Sequence, residues 1–108
     1  MKISVLGAGG WGTTLSILLY YNGHDVTLWE YKKSYAKELN KHRINHLYLP
    51  GIQIPNEIII SNDLDDSCKN KNLIILAIPS QHIREAVSYT HLRAHETPEH
   101  LVCRLLLE

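Results

Sequence analysis

An α/β fold built on a parallel sheet is what this 108-residue sequence predicts, and three features predict it. Short apolar runs alternate with helix-like segments along residues 1–86. The first run enters a cluster of glycines and leaves it as an apolar helix. The last, NLIILAI at residues 72–78, is apolar without interruption, as expected of a parallel strand covered on both faces.

Residues 2–6 (KISVL) read as the first strand, and residues 11–21 as the first helix. Between them Gly7, Gly9 and Gly12 set out G-x-G-x-x-G. Each glycine has a mechanical reason in such a unit. The first permits the sharp turn, the second lets backbone approach a pyrophosphate, and the third lets helix pack closely on strand. The helix N-terminus then offers unpaired N–H groups and a positive dipole end to phosphate. Alone the motif is weak. Placed directly between a strand and a helix it is specific, and it predicts a Rossmann-type dinucleotide turn.

Asn22-Gly23-His24 ends that helix, with Gly23 as its left-handed terminator. Residues 25–29 (DVTLW) are β-branched and apolar, a second strand. A second helix is expected over 34–41, capped by Ser34. Residues 42–55 read as irregular, punctuated by Pro50, Gly51 and Pro55. A third strand follows at 57–61 (EIIIS), then a polar connection at 62–70 and the fourth strand at 72–78. Pro79 and Ser80 turn the chain into a helix over 81–86. Right-handed crossovers then give a truncated sheet of about four parallel strands with flanking helices, in the order 3-2-1-4. The nucleotide belongs at the carboxyl ends of the strands, and the fourth strand is left as an open edge.

Composition narrows the function classes. Eleven Lys and Arg balance eleven Asp and Glu, so charge directs the chain to neither nucleic acid nor an anionic membrane. No apolar run approaches the roughly 20 residues that span a bilayer, and no signal peptide is expected. Two cysteines, Cys68 and Cys103, make no disulfide framework, which fits a reducing cytoplasm.

The alternation stops at Val87. Residues 87–97 (VSYTHLRAHET) and 100–108 (HLVCRLLLE) resemble the forward translation of a transposon-end sequencing adapter, residue by residue, with Pro98 and Glu99 in its variable index. Residues 87–108 are therefore read as a non-native tail, helical or disordered, and set apart from residues 1–86, the partial dinucleotide-binding domain. This removes a tempting zinc site, His91, His95, His100 and Cys103, which no selection would have assembled. No metal is expected.

Four stretches of residues 1–86 carry a resemblance to the bacterial NAD(P)-dependent glycerol-3-phosphate dehydrogenases: GAGGWGTTLS at 7–16, NGHDVTLWEY at 22–31, NHLYLPGIQIP at 45–55 and AIPSQHIRE at 77–85. The resemblance implies an oxidoreductase that interconverts sn-glycerol 3-phosphate and dihydroxyacetone phosphate with NAD or NADP. That reaction supplies the glycerophosphate backbone of phospholipids. It further implies a cytoplasmic enzyme, homodimeric when intact, with small-molecule substrates and neither nucleic acid nor membrane as partner.

Carried over by position, Gly10 and Trp11 would join Gly7, Gly9 and Gly12 at the pyrophosphate and adjoining ribose. Many relatives have Ser where this chain has Gly10, which loses a hydroxyl contact but keeps the backbone amide. Tyr31 and Lys32 would lie near the adenosine ribose, Tyr48 in a loop flanking the cofactor cleft, and Pro79 beside the nicotinamide. Trp11 could equally be helix-start packing, Tyr48 a loop anchor and Lys32 a solvated charge. Glu30, 23 positions past Gly7, suits a ribose 2′-hydroxyl, whereas Lys32 and Lys33 suit a 2′-phosphate. The balance tilts slightly to NAD.

The family's catalytic lysines and substrate contacts are expected beyond residue 86, so no catalytic residue is assigned here and the 108 residues alone should lack turnover. His24, His42, His46 and His82 read as surface structure, and Cys68 has no basic group arranged to activate it. Other readings are another small-substrate dehydrogenase, such as a ketopantoate reductase or nucleotide-sugar dehydrogenase, or a non-catalytic dinucleotide sensor. Trp11-Gly12-Thr13 together with Tyr48-Leu49-Pro50-Gly51 argues against the other dehydrogenases.

Overall fold

The computed structural model describes the backbone of residues 1–79 and 101–107. Its main sheet has five parallel strands: β1 (Lys2–Leu6), β2 (Asp25–Trp29), β5 (Ile59–Ser61), β6 (Leu73–Pro79) and β7 (Leu101–Leu107), in the order β5-β2-β1-β6-β7. The first four reproduce the expected 3-2-1-4 order. β1 lies centrally, Lys2 opposite Asp25 on one side and Ile3 opposite Leu73 on the other.

The alternation of β1 and β6 explains why both faces need cover. Ile3, Val5, Ile75 and Ala77 join a core with Val26, Leu28, Leu39, Ile54 and Ile58 on one face. Leu6, Ile74 and Leu76 join Cys68 on the other. Successive strand side chains point to opposite faces, so an uninterrupted apolar run fills two cores at once. Helix α1 (Gly10–Tyr21) presents Leu15, Ile17 and Leu19 to the first core, and α3 (Leu64–Cys68) closes the second with Leu64 and Cys68. α1 ends at Asn22, with Gly23 at φ +91° taking the left-handed position expected of it.

Three expectations are corrected. Helix α2 runs Lys33–His42, with Lys32 rather than Ser34 at its N-cap and no side-chain capping bond. The stretch expected to be irregular holds a small antiparallel pair, β3 (Ile44–Asn45) and β4 (Leu49–Gln53). The fourth sheet strand is not an open edge. β7 pairs along it from Leu73 opposite Leu101 to Pro79 opposite Leu107, so the end of the tail is a strand and not helical or disordered. An unpaired parallel edge offers a row of N–H and C=O groups, and the run LVCRLLL, of strong strand character, occupies it. The helix expected at 81–86, Ser80 and the histidines at 82, 91, 95 and 100 lie outside the described residues.

Candidate functional site: the glycine turn and its surroundings

The turn after β1 is held from both sides. Gly7 stands at φ +126°, a conformation that side chains rarely adopt, and its N–H donates to the Trp29 carbonyl at 3.0 Å. Gly12 sits one helical turn on, packed so tightly that an added Cβ would lie 1.9 Å from the Gly7 carbonyl oxygen and 3.4 Å from Ala77 Cβ. Gly9 differs. It is the N-cap of α1, with φ −75°, and a Cβ there would meet no described residue within 4 Å. The turn thus has a packed inner side at Gly12 and an open outer side at Gly9. The first N–H groups of α1 have no acceptor inside the helix, and its first turn holds no acidic residue. This donor set is of the kind that suits an anion.

Gly10 meets a neighbour on its other side. A Cβ there would lie 2.9 Å from the Tyr48 carbonyl oxygen, so the loop between β3 and β4 rests its backbone on the turn. Tyr48 itself is exposed, its ring edge-on to Tyr35 at 6.5 Å. Trp11 is half exposed at the start of α1.

At the end of β2, the Glu30 side chain is turned inward. It is only 6% exposed, and its Oε2 accepts from the Lys32 N–H at 3.0 Å. Burial raises its carboxyl above the ordinary value, with the Lys32 N–H and charge pulling partly the other way. Tyr31 and Lys32 point outward, the Lys32 ammonium 5.7 Å from the Tyr31 ring centre. Lys33 lines an open cleft with Lys37, Asn40, Ser61, Asn62 and Asp63. The segment is tied to the third sheet strand. The Glu30 N–H donates to the Ser61 carbonyl at 2.9 Å, and Asn62 Nδ2 donates to the carbonyls of Glu30 and Tyr31 at 2.8 and 2.9 Å.

The sheet therefore brings Gly7, Gly9, Gly10, Trp11, Gly12, Glu30, Tyr31 and Lys32 to the carboxyl ends of β1 and β2. Tyr48 comes against the same turn from the hairpin loop. Pro79 ends β6, opposite Leu107. Two residues that sequence reasoning left unassigned take part, Asn45 and Asn62. Neither belongs to a periodic pattern, and only a hydrogen-bond inventory of the folded chain finds them.

Among the described residues no cysteine joins the site. Cys68 lies in the second core, and burial pushes its thiol up to about 11, with Lys71 opposing only in part. Among the described residues no three His, Cys, Asp or Glu side chains gather to hold a metal. Nor is any helix among them long and apolar enough to cross a membrane.

Comparison with known proteins agrees with this geometry. The family model described as the NAD-dependent glycerol-3-phosphate dehydrogenase N-terminus matches residues 2–103, past residue 86, where the sequence resemblance was placed to end. The chain is 45% identical over 84 residues to a glycerol-3-phosphate dehydrogenase [NAD(P)+] of Fusobacterium nucleatum, covering 78% of this chain and 25% of that protein. It is 44% identical over 88 residues to one of Chlorobium phaeobacteroides, covering 82% and 26%. A crystal structure of glycerol-3-phosphate dehydrogenase from Coxiella burnetii superposes with a TM-score of 0.84 at 28% identity, over 95% of this chain and 31% of that one. The chain thus spans about a quarter of the length of the curated relatives it matches. With a glycine turn, a parallel sheet and a family match over nearly its whole length, the chain belongs to the NAD-dependent glycerol-3-phosphate dehydrogenase N-terminal family.

Proposed function

We propose that these residues bind NAD or NADP through the diphosphate, at the open side of the Gly7–Gly12 turn. One observation carries the reading. Gly12 is locked against Gly7 while Gly9, three residues earlier, faces open space at a helix start. A merely structural turn needs the first feature and has no use for the second. Gly9, Gly10 and Trp11 would hold the diphosphate and adjoining ribose, Tyr31 and Lys32 the adenosine end, and Tyr48 and Pro79 the flanks of the cleft. Glu30 would accept from the adenosine ribose, its Oε2 already accepting from the Lys32 N–H. The opposed charges of Glu30 and of Lys32 with Lys33 make an NADH against NADPH affinity comparison the test of coenzyme choice.

The protein to which these residues belong would interconvert sn-glycerol 3-phosphate and dihydroxyacetone phosphate, in the cytoplasm, as a homodimer, supplying glycerophospholipid synthesis. The bound nicotinamide supplies the hydride chemistry. The 108 residues by themselves would bind coenzyme weakly and turn nothing over, because the catalytic lysines expected by resemblance are not among residues 1–86. Residues 87–108 we read as translated adapter, on their residue-by-residue match. Recovering the reading frame from the source DNA tests both statements together. A lysine-bearing dehydrogenase continuation after residue 86 supports them, and a regulatory domain there would favour a dinucleotide sensor.

Binding is tested by titrating the 108-residue chain with NADH. Energy transfer from the tryptophans, Trp11 and Trp29, to the reduced nicotinamide should appear and saturate. An excess of ADP-ribose should abolish it, and no saturable signal would contradict the reading.

A further inference from the structure

Asn45 is wholly buried, in a strand of only two residues. Its polar atoms are all engaged. Nδ2 donates to the Ala8 carbonyl at 2.7 Å and to Thr13 Oγ1 at 2.8 Å, and Oδ1 accepts from the Tyr35 hydroxyl. A buried amide is costly unless its hydrogen bonds are made, and these are made to particular places. Ala8 lies inside the glycine turn, Thr13 on the first turn of α1, and Tyr35 on α2.

The bond to Ala8 has a directional consequence. The Ala8–Gly9 peptide is trans, as all described peptides are. In a planar trans peptide the C=O and the following N–H point to opposite sides. Holding the Ala8 carbonyl toward Asn45 therefore turns the Gly9 N–H away from it. The Thr13 bond fixes the helix start on the far side of the same turn, where the Thr13 N–H also donates to the Gly9 carbonyl at 3.0 Å. The strand carrying Asn45 leads directly into the loop whose Tyr48 carbonyl rests on Gly10.

We propose that Asn45 is a positioning residue for dinucleotide binding, holding the Ala8–Gly9 peptide so that the Gly9 N–H is presented to the coenzyme diphosphate. The inference rests on the binding reading given above. Asn45→Asp keeps size and the acceptor for Tyr35 but removes both donors and sets a carboxylate against the Ala8 carbonyl. Tyr35→Phe keeps both donors. In the 108-residue chain, Asn45→Asp should weaken NADH at least ten-fold while adenosine, which lacks the diphosphate, changes less than two-fold. Tyr35→Phe should leave NADH within three-fold. If NADH and adenosine weaken equally, Asn45 is only structural and the proposal fails.

Should the Asp variant not fold, the amide spectrum of the unmodified chain decides. The Gly9 amide proton should move downfield on adding NADH and stay put on adding adenosine, and an unmoved Gly9 resonance in the bound state overturns the proposal. If the unmodified chain binds no NADH, the reading of the turn itself has failed. If it binds and Asn45→Asp binds equally well, only the role of Asn45 is lost.

Discussion

Gly12 and Gly9 are both glycines of one turn, yet they stand there for opposite reasons. Gly12 is small because the Gly7 carbonyl leaves no room, so Gly12→Ala must push strand and helix apart. It should cost about 3 kcal/mol in urea unfolding, at the upper end of overpacking. An unchanged midpoint would mean that α1 does not pack as described. Gly10 is intermediate, because the 2.9 Å contact falls on Tyr48 backbone that belongs to a loop and can move. Glu30 carries a different consequence. Its raised carboxyl means the folded chain holds that proton more tightly than the unfolded chain does. The stability this gives is complete below the ordinary value of 4.5 and is lost as pH rises through the higher folded value. Glu30→Gln cannot titrate, so its melting temperature should gain on the parent between pH 4 and pH 7. A difference between variant and parent that does not change over that range would count against the raised carboxyl.

At the scale of elements, legibility followed local signals. β1, β2 and β6 were readable because each is apolar enough to fill a core unaided, and Gly23 marked the end of α1 by its backbone alone. The β3–β4 pair was not readable. Pro50 and Gly51 lie inside β4, where they break the pattern of a strand, and β3 has only two residues. The α2 cap was missed because Ser34 looks like a cap, whereas the helix already begins at Lys33 with no side chain capping it. β7 was missed for another reason. Residues read as adapter were given no structural role, but pairing at an open edge asks only for extended backbone and apolar side chains. Removing residues 87–108 should therefore strip β6 of its neighbour, lower the melting temperature by several degrees and raise light scattering at micromolar concentration. A truncated chain that melts at the same temperature and stays monomeric would show that the pairing contributes nothing.

Across the whole molecule, the sheet order and the coenzyme turn come from the same apolar runs. A central β1 puts the turn at the middle of the carboxyl edge, β2 beside it leads into Glu30, Tyr31 and Lys32, and the hairpin loop rests on Gly10. That the glycines, Trp11, Tyr31, Lys32 and Tyr48 lie around one turn was visible in the sequence, because motif spacing and resemblance pointed to them. The bonds that hold them in place, from Asn45 and Asn62, were not visible, since an asparagine in a polar stretch looks the same whether buried or solvated. The central claim is that backbone N–H groups on the open side of this turn hold a dinucleotide diphosphate. Gly9→Val tests it most directly, because a Cβ at this position meets no described residue within 4 Å in the folded chain. NADH affinity measured by tryptophan energy transfer should fall at least ten-fold, in a chain that still unfolds in one cooperative step. Undiminished NADH affinity in the folded Gly9→Val chain would contradict the account.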